Sequence, residues 1–410
     1  QLWPHLKFPG RTPNPVRFAN SVLMGKSMLQ LLLFGAALAQ AYPTAPGPYH
    51  LASGDLNRDG FADIVVVCRG ELLLPSEKRP ANDTVTVYFT QGSPELVKRH
   101  DFTVGFGPYT ALVRDLDQDG FLDLAVVNFQ ANDGRDLSIL WGQAKEPFLS
   151  AADSIQIPGQ HAYDKSRTRD GAPVYPTPGL TSIAALDQSL VAVAWSSDFF
   201  VVLRPQGKRR FVPKLYPLPP GPRDVAVADF NRDGQADLAF TIYSSNLIEV
   251  WLGDARGGFR RDQVFHSQGH IPYHLKAADL DGDGYPDVAV GNRGPSDNVA
   301  IFRNEKGRFR FTGAHQPGTP RKGEATADEI RDVLFHDLDG DGRLDLLAAC
   351  HISHKVVIWP GTGLTGFGQA FGAPKTISFP GQGPRTLLPV SGRIAVGLFD
   401  SNELMWLPQN

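Results

Sequence analysis

Apolar residues in this chain fall in short runs bounded by Gly, Pro, Asn and Asp, without a helical period. Runs such as 64–67 and 124–127 are apolar at consecutive positions, as in strands buried on both faces. Five of these runs follow the same polar loop, D-x-[D/N]-x-D-G-x-x-D, at 55–63, 115–123, 229–237, 279–287 and 337–345. A representative unit reads strand A at 225–228, the polar turn, strand B at 238–242, strand C at 247–252, a Gly-rich turn, then strand D from Phe259. Alignment on the loop exposes two units that have lost it, 181–195 around Asp187 and 385–398. Seven units of about 50 residues lie within the propeller-blade range. The fold class predicted is all-β, a seven-bladed β-propeller of four-stranded antiparallel blades.

The blades are expected at 48–107, 108–178, 179–220, 221–271, 272–328, 329–383 and 384–410. The last unit ends after its third strand. Its outer strand must come from the Pro-rich stretch 42–48, a poor ladder former, or be absent.

The polar loop places oxygen ligands at alternate positions of a tight turn, so that they converge on one hard cation. Positions 1, 3, 5 and 9 are Asp55, Asn57, Asp59 and Asp63 in the first copy, and Asp115, Asp117, Asp119 and Asp123 in the second. The third has Asp229, Asn231, Asp233 and Asp237. The fourth has Asp279, Asp281, Asp283 and Asp287, and the fifth Asp337, Asp339, Asp341 and Asp345. Position 6 is Gly throughout, which permits the sharp turn. All-oxygen coordination favours Ca²⁺, giving about five sites. This is not an EF-hand: position 12 is apolar (Val66, Val126, Phe240, Val290, Ala348), where that loop needs a bidentate Glu. The loops hold eighteen acids, which repel one another without a cation.

The units resemble FG-GAP/VCBS repeats, found in integrin α-chain propellers and in many secreted bacterial proteins. The run DFNRDGQADLA from Asp229 and the run GDARGGF ending at Phe259 follow that pattern closely. The resemblance covers nearly all of 42–410 and implies a seven-bladed propeller with calcium in the A–B turns. It does not imply one activity, because the family includes adhesion, lectin-like and enzyme-associated propellers. The third and seventh units depart from the pattern and are expected to hold no metal.

Net charge is −3, and eighteen of the 43 acids are loop ligands, so it says little about partners. Residues 24–41 read as a secretory signal, with Lys26, an apolar core and an A-x-A site ending at Ala41. The core is too short to span a membrane. Residues 1–23, ahead of Met24, are expected to be a non-native or disordered upstream segment. A secreted, periplasmic or extracellular location is thus expected. The two cysteines, Cys68 and Cys350, hold equivalent positions in non-adjacent blades and are expected to be free buried thiols.

Strands A and B run oppositely, so residues just before A and just after B share the face opposite the acidic turns. Before strand A lie Tyr49, Tyr109, Leu180, Arg223, Tyr273, Arg331 and Arg385; after strand B lie Arg69, Phe129, Trp195, Tyr243, Arg293, His351 and Phe399. Arg, Tyr and Trp anchor interfaces and suit sugars or carboxylates. Such residues also cap propeller cores and hold neighbouring loops. Insertions at 71–82, 159–178 and 313–328 are expected on the same face.

The reading is a calcium-stabilised, non-catalytic module binding carbohydrate or extracellular protein. The alternative is a lyase-like polysaccharide enzyme using Tyr273, His274 and His351 at the mouth. No G-x-S-x-G or H-E-x-x-H motif occurs, and the G-x-G-x-x-G run at 361–366 precedes no helix and reads as a hairpin. The basic residues Lys208, Arg209, Arg210, Arg260, Arg261 and Arg308 fall at scattered C–D turns, expected to be solvated, and form no nucleic-acid groove.

Overall fold

The computed structural model describes residues 40–408, apart from 72–81, 93–94, 132, 159–167, 170–171, 174–176, 295–296, 319–327 and 366–367. The expected upstream segment and nearly all of the expected leader lie outside the described residues, as does much of the three insertions. The chain forms seven four-stranded antiparallel sheets, six of them built in sequence order A to D. Blade 4 is typical: Pro222–Ala228, Asp237–Ile242, Leu247–Gly253 and Phe259–His266. Strand A of each blade packs beside strand A of the next. Pro384–Val390 of blade 7 packs beside Pro48–Gly54 of blade 1, which closes the ring.

Blade 7 takes its outer strand from the other end of the chain. Ala41–Pro43 pairs antiparallel with Glu403–Trp406, with Tyr42 opposite Leu404. The ladder is only three residues long. Tyr42 strengthens it by packing against Tyr88, at 5.5 Å between ring centroids, within the same core cluster as Trp406.

Burial follows position in the blade. Strand B is buried along its full length in five blades, as in Asp63–Cys68 and Asp345–Cys350, because it lies between two neighbouring sheets. Strand D, the outer edge, alternates or is largely exposed, as in Lys98–Thr103 and Phe309–His315. Charged side chains there blunt an edge that would otherwise pair with other chains. Each of the seven gaps between blades holds its own apolar cluster. Full burial of each Val, Leu, Ile or Phe contributes about 1.5–3 kcal/mol, so stability is spread around the ring. Cys68 and Cys350 are free and buried, each inside a different gap.

The two units without the acidic loop join strands A and B by two-residue turns. These are Asp187–Gln188 between Leu186 and Ser189, and Ser391–Gly392 between Val390 and Arg393. Asp187 (φ 48°), Ser391 (φ 49°) and Gly392 (φ 76°) are left-handed, as tight hairpins require. The run from Gly361 is a small hairpin, Gly361–Thr365 against Gly368–Phe371, inserted between strands C and D of blade 6.

Candidate functional site

Every strand A begins with a β-bulge. The register skips one residue between Pro48 and His50, Pro108 and Thr110, Leu180 and Ser182, Pro222 and Asp224, Pro272 and His274, Ile330 and Asp332, and Pro384 and Thr386. The skipped residues are Tyr49, Tyr109, Thr181, Arg223, Tyr273, Arg331 and Arg385. A bulge frees one residue from the ladder and re-aims its side chain. The residue two before each skipped position is left-handed: Gly in five blades, Ile271 in blade 5 and Glu329 in blade 6. Its carbonyl accepts the amide of the residue that follows strand B, as in Arg69 N–Gly47 O at 3.0 Å and Tyr243 N–Gly221 O at 2.7 Å. The same bond recurs at Phe129, Trp195, Arg293, His351 and Phe399. The two sequence-derived rings are therefore joined by one backbone device. In blade 3 the first ring holds Thr181 rather than Leu180. Leu180 pairs in the ladder with Ala194 and is fully buried.

Six of the seven bulged side chains are Tyr or Arg, and they meet at the ring's centre. Tyr49 and Tyr273, from blades 1 and 5, are 2.5 Å apart at their hydroxyls. Tyr109 lies 3.2 Å from Tyr273 and also bonds Tyr49. Arg223 donates from Nη2 to all three phenols, at 3.1 Å for Tyr49. Arg385 donates to Tyr273 at 3.3 Å and lies 3.8 Å over the Tyr49 ring. Arg331 lies over Tyr273 at 4.8 Å, and Arg69 over Tyr49 at 4.4 Å. All seven of these side chains are buried.

The second ring is aromatic on one side. His351, Phe399, Tyr49, Tyr109, Phe129, Trp195 and Tyr243 form an unbroken series of ring contacts, with centroids 4.3–6.5 Å apart. Arg69, Arg223 and Arg385 stack on rings of this series, while Arg293 and Arg331 occupy the arc of blades 5 and 6. Tyr243, Arg293, His351 and Phe399 are half-buried and form the outer layer.

One carboxylate, Glu329, serves this arc. It pairs with Arg331, with Arg293 at 2.5 Å and with His351 Nδ1 at 3.1 Å. Burial favours its neutral form, but the His351 hydrogen bond and Arg331 outweigh burial and hold the carboxyl well below its ordinary range. Burial pushes Arg69 down to about 10, with Arg385 and Arg331 adding to the effect. Burial would raise the Tyr273 phenol, yet Arg223, Arg331 and Arg385 hold it well below its usual value.

His351 Nε2 lies 3.3 Å from Asp400, so both of its ring nitrogens are engaged by carboxylates. His274 Nδ1 is tied at 3.1 Å to Asp224, which also accepts from Ser182 and from the Leu275 amide. Asp224 therefore joins blades 3, 4 and 5.

On the other side of each blade the five acidic loops share one geometry. Position 1 accepts the position 6 amide at 2.9 Å in every copy. Position 5 accepts the position 7 amide at 2.9 Å in every copy. Gly at position 6 has φ between 82° and 90°, a conformation unfavourable for other residues. Position 9 is a brace. Asp63, Asp123, Asp237, Asp287 and Asp345 accept the position 2 amide on one oxygen and an amide at the end of strand C on the other, at 2.7–3.0 Å.

Single oxygens of Asp115, Asp117 and Asp123 lie within 4.8 Å of one another, as do those of Asp279, Asp281 and Asp287, and of Asp337, Asp339 and Asp341. This all-oxygen donor set fits a hard cation. Burial pushes Asp63, Asp123, Asp237 and Asp287 up to about 6, which backbone hydrogen bonds only partly offset.

Sequence reading missed the arginines at these loops. Arg209, expected in solvent, reaches from blade 3 to Asp117 (2.7 Å) and Asp119 (3.5 Å) and lies over Trp141. Arg303 pairs with Asp281 at 2.5 Å, and Arg343 with Asp341. These are the three loops with four acids. The two with Asn at position 3 instead have that amide donating to position 5, Asn57 to Asp59 and Asn231 to Asp233. Either arrangement leaves a similar negative charge in each loop. Glu329 was also missed. Its signal is the interruption of the Gly-Pro pair that precedes the bulge in blades 1, 2, 4 and 7.

An FG-GAP-like repeat model matches residues 229–290 and 279–348, the loops and B strands of blades 4 to 6. No curated protein matches the chain at a significant level. Among solved structures, the periplasmic gluconolactonase of Pseudomonas aeruginosa matches with a TM-score of 0.54 and 18% identity, over 81% of this chain and 85% of its own. Virginiamycin B lyase of Staphylococcus aureus matches with 0.57 and 10%, over 90% and 99%. BBS1N, crystallised with ARL6DN, matches with 0.56 and 13%, over 91% and 95%. These are likenesses of fold, and two enzymes and a partner-bound protein share it. No helix among the described residues is long and apolar enough to cross a membrane.

Proposed function

We propose that this FG-GAP repeat β-propeller is a secreted, non-catalytic module that binds carbohydrate or extracellular protein on the face of the bulged ring. Ca²⁺ in the A–B turns on the opposite side holds the blades in register. The observation that carries the reading is the set of bulges: one backbone device, repeated in every blade, presents Tyr or Arg at the ring's centre in six of the seven. Aromatic and Arg side chains supply contact area at low entropic cost and directional hydrogen bonds.

The residues that would hold the cation are the position 1, 3 and 5 side chains, with the position 9 carboxylate beneath them. A cation there supplies positive charge that the loop acids lack. The loops contribute folding stability, and the ring face contributes recognition. The lyase alternative is not favoured. His351 has both nitrogens engaged, and the Tyr273 hydroxyl is surrounded by two phenols and two guanidiniums. Neither is free to take a proton from a substrate.

A glycan array probed with the full chain, with Ca²⁺ and with EDTA, tests the proposal. Binding that is lost in EDTA supports it. A screen showing chain cleavage with new unsaturated ends on acidic polysaccharides would overturn the non-catalytic assignment.

A further inference from the structure

We infer that the ligand of this face is an acidic saccharide, whose carboxylate is taken by the central arginines while its ring lies against the aromatic arc. The inference rests on the binding-face reading above and narrows it to one chemical class.

The first support is charge. Arg69, Arg223, Arg331 and Arg385 are 5–8% exposed and gather within one cluster. Glu329 pairs with Arg331; no carboxylate pairs with Arg69, Arg223 or Arg385 among the described residues. Buried unpaired cations are costly, and the phenols facing them are neutral acceptors unless ionised.

The second support is unspent donors. Arg69 Nε and Arg331 Nε are buried and have no hydrogen-bond partner among the described residues. A guanidinium recognises a carboxylate through parallel N–H donors, so an arginine with an idle Nε beside a charge deficit is matched to an oxyanion.

The third support is the aromatic lining beside the arginines. A continuous aromatic series, which includes Trp195 and the half-buried Tyr243, runs past them, with Arg69 and Arg385 lying directly over its Tyr49 and Phe399 rings. Flat aromatic faces pack on the apolar side of a pyranose, and a small inorganic anion would have no use for them. A uronate satisfies both the guanidiniums and the rings.

The test is titration calorimetry of the full chain with glucuronate, glucose and acetate at matched ionic strength, with absorbance at 295 nm read in parallel. The inference expects saturable binding of glucuronate, at least tenfold weaker binding of acetate, and none of glucose. Arg69→Met, at a residue whose Nε has no hydrogen-bond partner among the described residues, should weaken glucuronate at least tenfold with an unchanged melting curve. If that variant fails to fold, the wild-type absorbance decides. Glucuronate should move the phenol titration read at 295 nm to higher pH, because a bound carboxylate offsets the arginines that hold Tyr273 low.

Equal binding of acetate and glucuronate would overturn the saccharide assignment. A phenol titration that glucuronate does not move would overturn the inference altogether, since no added carboxylate would then sit among these arginines. If the glycan array shows Ca²⁺-dependent binding to neutral glycans only, the binding-face reading stands and this inference fails.

Discussion

Tyr49 and Tyr273 meet hydroxyl to hydroxyl at 2.5 Å although 224 residues separate them in sequence. Blade 1 and blade 5 are brought into contact only at the ring's centre. The contact exists because both residues are bulged out of their strands at the same point in the repeat. It ties the proposed recognition face to the architecture: whatever disturbs closure disturbs the Tyr–Arg cluster.

The acidic turns should depend on a cation. EDTA is expected to lower the melting temperature markedly, and Ca²⁺ to restore it. The effect has a pH signature. The position 9 carboxylates are held up to about 6 in the folded chain, above the ordinary 3.8. A group raised in this way favours folding below its unfolded pKa, and that contribution is lost as pH rises through about 6. The chelator-induced drop should therefore be larger at pH 7 than at pH 5. An identical melting curve with and without EDTA at pH 7 would sink the calcium assignment.

Position 9 should matter more than its neighbours even without metal. Asp237 accepts the Phe230 amide at 3.0 Å and the Gly253 amide at 2.8 Å. Asp237→Ala orphans both, at about 1–3 kcal/mol each. Urea denaturation should show a loss of roughly 2–6 kcal/mol. Asp233→Ala, at the exposed position 5, should cost less in EDTA.

Glu329 sets two effects against each other. It is left-handed at φ 52°, where five other blades have Gly. Glu329→Gly relieves about 1–2 kcal/mol of backbone strain. It also strips the carboxylate from buried Arg331, which costs about 3–5 kcal/mol. The second term wins, so the variant should be destabilised by a few kcal/mol in urea. A variant more stable than wild type would show that Arg331 needs no partner.

His50 should give the protein an acid-sensitive step. Burial holds its imidazole at about 3, reinforced by Lys276 and His274 and opposed by Asp224. Its Nδ1 accepts the Ala111 amide at 3.3 Å, joining blades 1 and 2. A lowered His pKa contributes stability that is fully present above 6.5 and lost as pH falls toward 3. His50→Asn keeps an acceptor near that amide but cannot titrate. Its melting temperature should fall less steeply than wild type between pH 6.5 and 4.

Local chemistry was legible in sequence wherever one residue type answers one backbone demand. The Asp-Gly loop fixed the A–B turn, and its spacing located blades 3 and 7 without it. All seven residues after strand B were placed correctly, because a strand end is a local feature. Leu180 was misplaced for Thr181 because blade 3 has neither a Pro nor an aromatic to mark its bulge. Arg209 was read as solvated because its partner, Asp117, lies 92 residues away and is reached only across a blade boundary. Position 9 was read as a metal ligand. Its bracing role appears only when the end of strand C is placed beside it.

The same blade geometry explains why Arg331, though it belongs to the ring, is a poor probe of binding. Its removal leaves Glu329 and Tyr273 altered as well. Tyr243 and Arg293 lie in the half-buried outer layer; Arg293 also pairs with Glu329, but without it that carboxylate keeps Arg331 and His351. The most direct measurement is therefore glycan-array binding of wild type and Tyr243→Ala/Arg293→Ala side by side in Ca²⁺, with melting curves for both. The account predicts signal on acidic glycans for wild type, its loss in the double variant, and melting temperatures within a few degrees. Full retention of signal by the double variant would contradict the assignment of this face as the recognition surface.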